Sequence, residues 1–319
     1  MSKTQFLNSN SSINDVLTLA YISLILRLGI ASVFITGGWN KLSQLIDPER
    51  QQALVDSYMG PAGYVNTFFT EYLFSQGGVL SPWLFLTSLS AFELVSGIMI
   101  LVGFLIRPLA LFYGFLLWTF VFSLPVVTTP GVEVSEKTYL APALLVQIRD
   151  VALSGVMFVI YNLGSGAHSI DQRVFGKDAV TPYVKWENLG LLLRLSLASI
   201  LLVAGFFHGM ANIKTFDIPA VLLIVAGFAL LLEERAARIA GAALVIFMIV
   251  YMVGKLNFDK SLIANLNAIK REFAFIAGGL VLSLFGGGAL YTMPKLYERV
   301  SESLSIAKKR LQKGLPQEV

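Results

Sequence analysis

The sequence has no cysteine and only two histidines among its 319 residues. Without cysteine, the chain cannot form disulfides, thiolate metal sites, cysteine-ligated iron–sulfur clusters or a cysteine persulfide. The two histidines, His168 and His208, are predicted to lie on opposite faces of a membrane, so they cannot share one metal ion or one haem. We therefore expect no bound metal and no haem.

Charged residues are scarce as well. They make up 14% of the chain, against 55% hydrophobic residues, and the mean hydropathy is +0.71. Soluble domains carry roughly 25% charged residues, so the composition indicates a chain surrounded by lipid. A helix needs about 20 apolar residues to cross the hydrocarbon layer. We predict an all-α polytopic membrane protein with about eight transmembrane helices, at 17–38, 82–105, 108–128, 148–164, 189–207, 216–232, 236–254 and 272–292.

The placement of the lysines and arginines predicts the orientation. Outside the predicted spans they are more numerous on the side of the N-terminus, mainly because of the tail after residue 294. Cytoplasmic segments are enriched in these residues. We therefore expect a multi-pass protein of a bacterial or archaeal cell (inner) membrane with both termini cytoplasmic. The sequence KKRLQK in the tail is typical of contact with lipid headgroups rather than with nucleic acid.

Two parts of the chain share a pattern of residues. It aligns Arg27 with Arg194, Glu93 with Asp217, and the pair Arg149–Asp150 with Arg271–Glu272. The same alignment matches Gly38 with Gly205, Lys41 with His208, and Gly103 with Gly227. We predict two tandem four-helix bundles, the first at 1–172 with a large outer loop (39–81) and the second, degenerate, at 189–293. A linker (173–188) would join them, and a basic cytoplasmic tail (294–319) would follow.

Several short motifs carry a family resemblance. They are Arg27-x-Gly29, Gly37-Gly38-x-x-Lys41, Glu93-x-x-x-Gly97, Gly103-x-x-x-Arg107 and GSGAHSID at 164–171. Together they resemble the DoxX-like membrane family, and most closely its DoxD subgroup, the small-subunit type of thiosulfate:quinone oxidoreductase. The resemblance covers 20–172 and, more weakly, 189–292, where Lys41, Gly97 and GSGAHSID have no counterpart. It implies a four-helix unit, a quinone as co-substrate and, in some members, the oxidation of sulfur compounds.

The charges inside the predicted spans are the candidate site. Ionisable groups at membrane depth are costly and are commonly functional or paired. We expect Arg27, Lys41, Glu93, Arg149 and Asp150 to face one cavity in the outer half, with an ion pair between Arg27 and Glu93. In the functional interpretation Glu93 and Arg27 are catalytic, and Lys41, Arg149 and Asp150 bind an anionic substrate. In the alternative interpretation the charges only hold the helices together. The counterparts in the second half would be Arg194, His208, Asp217 and Arg271.

These features favour a membrane enzyme that oxidises a small sulfur anion and reduces a quinone. A non-catalytic subunit or scaffold of a redox complex fits the charges as well, and a small-anion transporter fits them less well. The predicted partners are lipid, quinone, a partner subunit and further copies of the chain. Trp39, Trp83 and Trp186 lie near span ends and predict an interfacial aromatic belt.

Overall fold

The structure, a computed structural model, describes residues 15–59, 65, 69–74, 80–122, 143–207, 216–292, 295, 297, 298 and 300–306. Within these ranges the chain forms helices and no strands. The longer helices are α1 (Val16–Leu45), α2 (Gln51–Met59), α3 (Pro82–Val102), α4 (Ile106–Phe122), α5 (Ala143–Leu163), α6 (Ile170–Phe175), α7 (Trp186–Phe206), α8 (Ala220–Leu232), α9 (Glu234–Lys255) and α10 (Leu262–Phe285). A π-helical turn at Phe69–Leu73 and a 3₁₀ turn at Gly176–Ala179 lie between them.

The helices confirm an all-α polytopic membrane protein. In the described part of the chain, α1, α3, α7 and α9 are long and apolar enough to cross a membrane, while α4 and α8 are shorter apolar helices. The remaining two predicted spans correspond to α5 and α10, whose first halves carry Arg149–Asp150 and Lys270–Arg271–Glu272. The cytoplasmic position of both termini stays a prediction.

The helix boundaries follow from capping residues and from glycines. The Asp15 carboxylate accepts a hydrogen bond from Thr18 N–H at the start of α1, and the Ser81 hydroxyl does the same for α3. Gly103 ends α3 with a φ of +75°. The helix α1 continues to Leu45, beyond the predicted end at residue 38, because Gly38 packs inside the helix against α3 instead of ending α1.

The two halves of the chain pack across each other. The first helix of the first half, α1, packs most extensively on α3 and on α10, the last helix of the second half. In the same way α7 packs on α8 and on α5. Small residues allow both crossings, since a Cβ at Gly29 would meet Ala277 and a Cβ at Gly155 would overlap Ser196 Oγ. In each half, the first helix therefore packs against the fourth helix of the other half. The division of the chain at residues 172, 188 and 293 stays a prediction.

Equivalent glycine contacts correct the alignment of the second helix in each half. Gly97 packs on Ile35, and Gly227 packs on Leu202, which the first-helix alignment equates with Ile35. The structural counterpart of Gly227 is therefore Gly97, whereas we predicted Gly103.

The same correction moves the counterpart of Glu93 to Leu223. The predicted counterpart, Asp217, lies in the turn before α8, where its side chain is 68% exposed and pairs with Lys255 at 3.3 Å. The prediction is wrong because a short apolar match, Phe-Glu-Leu with Phe-Asp-Ile, was followed instead of the helix register.

The loop after the fourth helix also repeats. Gly164 and Gly166 have φ values of +84° and +74°, and Gly286 and Gly288, 122 residues later, have +73° and +77°. These conformations favour glycine. The expectation that the second half lacks any counterpart of GSGAHSID is thus wrong for its first three residues, because such a glycine turn is needed wherever this helix ends.

The predicted linker is packed against the first half. Ser165 N–H donates to Ala179 O at 2.9 Å, and Arg107 Nη1 donates to Asp178 O at 2.8 Å. Trp186 begins α7 and is 1% exposed, so the predicted interfacial position is wrong for this residue. Trp39 and Trp83 are 48% and 41% exposed, as an interfacial belt requires.

Candidate functional site

Arg27 lies away from Glu93, and the predicted ion pair between them is wrong. The guanidinium is 1% exposed and donates to the carbonyl oxygens of Ser165 at 2.6 Å and Ala167 at 3.2 Å. It therefore binds the GSGAHSID loop at the end of the helices where α1 begins, which we call the N-terminal face. Lys41 lies 14 residues further along α1, about 21 Å towards the opposite, distal face.

Residues of the Gly103-x-x-x-Arg107 and GSGAHSID motifs surround this arginine at the N-terminal face and form a structural cap. A Cβ at Gly103 would overlap Arg27 Nη1 and Ser169 Cβ. The Asp171 carboxylate accepts from Leu105 N–H at 2.8 Å and Ile106 N–H at 2.9 Å, which are the first free N–H groups of α4. The contacts of Arg27 are thus those of a cap, and its catalytic role stays a prediction.

Arg194 has the matching position in the second half. It is fully buried and donates to Tyr291 O at 3.0 Å and Leu230 O at 3.4 Å. Each half therefore holds a buried arginine that binds main-chain carbonyls near the loop after its fourth helix. The repeated arginines are therefore explained by these hydrogen bonds, and among the described residues neither forms an ion pair.

A cavity of about 100 Å³ lies towards the distal face, between α1, α3, α4, α5 and α10 and beneath α2 and the π-helical turn. Four of the predicted site residues line it, namely Lys41, Glu93, Asp150 and Arg271. Lys41 Nζ forms an ion pair with Glu93 Oε2, and both side chains are nearly buried. Ser90, Tyr58 and an apolar wall that includes Phe34, Phe69, Phe85 and Phe120 complete the lining.

Two ion pairs cross between the halves beside the cavity. Arg149 Nη2 lies 2.7 Å from Glu272 Oε1, and Arg271 Nε lies 3.2 Å from Asp150 Oδ1. Since Arg149 aligns with Arg271 and Asp150 with Glu272, each arginine pairs with the acid of the other half. Arg149 and Asp150 are neighbours in α5, and Arg271 and Glu272 are neighbours in α10. Neighbouring side chains of a helix point in different directions, so each acid pairs with the arginine of the other helix.

Arg149 does not line the cavity, and its predicted role in substrate binding stays a prediction. Its side chain is almost fully buried against Glu272, and its guanidinium carbon lies 5.3 Å from the Phe216 ring and 5.7 Å from the Tyr251 ring. It faces the second half of the molecule. The ion pair there fits the alternative interpretation, in which buried charges hold helices together.

Lys270 lines the cavity and was not among the predicted site residues. Its Nζ donates to Asn267 Oδ1 at 2.6 Å, and a Cβ at Gly37 would lie 3.1 Å from that nitrogen. The predicted span began at residue 272, which placed Lys270 in a loop, whereas α10 begins at Leu262. The missed signal was the position of Lys270 directly before the Arg271–Glu272 pair that had been aligned with Arg149–Asp150.

The corresponding region of the second half carries fewer charges. Leu223 of the second half takes the position of Glu93, and Ile148 of the first half takes the position of Lys270. Phe216, Met248 and Tyr251 are buried around it, and the rings of Phe216 and Tyr251 meet edge to face at 5.2 Å. His208, the predicted counterpart of Lys41, lies outside the described residues.

The charges of the cavity favour a small anion. Lys41, Lys270 and Arg271 supply three positive charges, and Glu93 and Asp150 supply two negative ones. The lining therefore carries one net positive charge in a largely apolar setting. Its volume is well below the roughly 300–1,000 Å³ of sites for drug-sized ligands, so it has room for only a few heavy atoms.

Comparison with known proteins agrees with the motifs. The DoxX family model matches residues 22–124, which contain α1 to α4 with Arg27, Lys41 and Glu93. This supports the DoxX-like family for that part of the chain. Comparison with curated proteins and with solved structures gives no match.

Proposed function

We propose that the protein is a membrane oxidoreductase that passes electrons from a small sulfur anion of the thiosulfate type to a membrane quinone. The observation that carries the proposal is the cavity, which combines a net positive lining with a carboxylate in an otherwise apolar helix bundle. The match to the DoxX family model supports quinone-linked chemistry, because that chemistry is what the family resemblance implies.

In this proposal the cations, the carboxylate and the aromatic residues of the cavity have different roles. Lys41, Lys270 and Arg271 offset the charge of the anion. Glu93, which is paired with Lys41, moves protons between the cavity and the quinone oxygens, a role suited to a carboxylate within reach of a reacting group. The quinone is too large for the cavity and would bind beside it, next to the aromatic side chains Phe69, Phe85 and Phe120.

The overall reaction balances without a metal or a second cofactor. Two thiosulfate dianions each lose one electron as a sulfur–sulfur bond joins them. The quinone accepts these two electrons and two protons and becomes a quinol. The bound anion and the quinone therefore have to meet at or next to the cavity.

A second candidate is an anion-binding subunit of a larger redox complex. The sequence contains no cysteine, and the described residues contain no group of three histidine, aspartate or glutamate side chains placed to hold a metal ion. Electrons would then pass either directly from the anion to the quinone or through a partner protein. In the second case the chain binds the anion and the partner carries the electrons.

The test is quinone reduction by the purified protein in detergent, with thiosulfate and decyl-ubiquinone as substrates. Glu93→Gln should lower the rate by about 100-fold or more, the usual size of an acid–base contribution. Lys255→Met is the matched control, because Lys255 pairs with the exposed Asp217 outside the cavity, and its rate should equal that of the unmodified protein.

The outcomes separate the two candidates. Activity of the purified chain that Glu93→Gln abolishes supports the enzyme. Activity that appears only after a membrane fraction from the source cells is added supports the subunit. An active Glu93→Gln variant contradicts the enzyme as proposed, and no thiosulfate-dependent quinone reduction under either condition contradicts both candidates.

A further inference from the structure

Two charges of the cavity, Glu93 and Lys270, have no charged counterpart in the other half of the repeat. Arg149 and Arg271 are equivalent, as are Asp150 and Glu272, and each half uses them in the same crossed ion pairs. Lys270, in contrast, corresponds to Ile148, and Glu93 corresponds to Leu223. The second half therefore packs with an apolar residue at the position of Glu93, and the first half does so at the position of Lys270, so the shared architecture does not require either charge.

Lys270 differs from the other two cations of the cavity in its partners. Lys41 is paired with Glu93, and Arg271 is paired with Asp150. Lys270 makes no ion pair within the described part of the chain, and its hydrogen-bond partner there is the neutral side chain of Asn267. Lys270 thus supplies the net positive charge of the cavity lining.

The structure also makes room for this ammonium group. Lys270 lies more than two turns inside α10, and its Nζ rests against Gly37 of α1, where a larger residue would occupy the same space. The charged groups of Arg271, Lys41, Glu93 and Asp150 all lie within electrostatic reach of it. A lysine held in an apolar bundle without a carboxylate partner is costly unless a ligand or water offsets its charge.

We propose that Lys270 is the principal ligand of an oxoanion subsite in this cavity, with Arg271 and Lys41 beside it. The ligand class is a small oxoanion such as thiosulfate or sulfate, whose oxygens accept hydrogen bonds from the ammonium group. In placing an anion in the cavity, the inference rests on the proposed function. It adds that the second half of the chain supplies the anion ligand for a site whose proton-carrying residue belongs to the first half.

The test is binding of thiosulfate to the full-length protein in detergent, measured by titration calorimetry in chloride-free buffer without quinone. Lys270→Met should weaken binding by about 10- to 100-fold, the range expected for one charge-assisted hydrogen bond. The control Lys255→Met should bind thiosulfate as the unmodified protein does. Sulfate, added first, should compete with thiosulfate in the unmodified protein.

Stability separates a binding role from a structural one. Because Lys270→Met removes a charge without a carboxylate partner, its melting temperature should equal or exceed that of the unmodified protein. The proposal is overturned by thiosulfate binding within twofold of normal in Lys270→Met, by no binding to the unmodified protein, or by a Lys270→Met protein that melts well below the control.

The proposed function and the subsite are refuted by different experimental outcomes. If thiosulfate binds through Lys270 but no quinone is reduced, alone or with the membrane fraction, the redox function is wrong and the subsite stands. If Lys270→Met keeps its quinone reductase rate with an unchanged KM for thiosulfate, the subsite is wrong and the redox function stands.

Discussion

Breaking the ion pair between Arg149 and Glu272 from one side should destabilise the protein strongly. Both side chains are buried, and the charged atoms are 2.7 Å apart. At an effective dielectric constant of roughly 20, two unit charges at that distance attract by about 6 kcal/mol before the cost of removing them from water is counted. Glu272→Gln leaves the guanidinium of Arg149 buried between two aromatic rings, with the Tyr251 hydroxyl 3.4 Å away.

The expected loss for Glu272→Gln is about 3–5 kcal/mol, which is typical when one partner of a buried pair is removed. The double variant Arg149→Met with Glu272→Gln should recover most of it, because no uncompensated charge then remains. Arg50→Met is the control, since Arg50 pairs with Asp47 at the surface and should contribute at most about 1 kcal/mol.

The assay is thermal denaturation of the four proteins in the same detergent, read as the order of their melting temperatures. The order should be unmodified protein and Arg50→Met highest, the double variant close to them, and Glu272→Gln lowest. The reasoning is refuted if Glu272→Gln melts together with Arg50→Met, or if the double variant is no more stable than Glu272→Gln.

Two further predictions concern the cap at the N-terminal face. Gly103→Ala should lower the melting temperature by several degrees, because the φ of +75° disfavours a side chain and the new Cβ would overlap the Arg27 guanidinium. The control is Gly254→Ala, at a helical position with open space, which should have little effect on the melting temperature. Asp171→Ala should cost about 1–3 kcal/mol in thermal denaturation, because it removes the acceptor of two N–H groups at the start of α4; a variant as stable as the unmodified protein would show that water replaces the carboxylate.

The helices could be predicted from the sequence because lipid imposes a simple rule. A backbone that crosses the hydrocarbon layer has to satisfy its own hydrogen bonds, so each long apolar run becomes a helix. The boundaries were less predictable, since glycines that usually end helices in water instead bring helices together here. Gly38 shows this, because it lies inside α1 and allows close contact with Ser90 and Leu94 of α3.

Arg27 shows that counting residues along a helix gives the depth of a Cα atom but not the depth of the charge on a long side chain. Side chains of an α-helix tilt towards its N-terminus, so a long side chain reaches a point about one turn before its own Cα. Arg27 accordingly reaches the loop at the N-terminal face and lies far from Glu93. The prediction treated the depth of the Cα as the depth of the charge.

The partner of each buried charge could not be predicted from the repeat alone. An alignment shows that Arg149 and Arg271 occupy equivalent positions, but it does not show which half supplies the acid that each one meets. The crossed pairing depends on α1 packing against α10 and on α5 packing against α7, which are contacts between halves. Lys41 and Glu93, which belong to the same half and to adjacent spans, were correctly expected to face one cavity.

The comparison between the halves separates structural charges from candidate functional ones. A charge that both halves keep, with the same type of partner, is explained by the packing of the repeat. The buried arginines near the N-terminal face and the crossed pairs of Arg149 and Arg271 belong to this group. Glu93 and Lys270 belong to the other group, because their counterparts in the opposite halves are Leu223 and Ile148. Both line the same cavity, and an apolar residue is sufficient for packing at either position. The ion pair with Lys41 offsets the cost of keeping Glu93 charged, whereas the charge of Lys270 is offset, in our proposal, by the anion that the cavity binds.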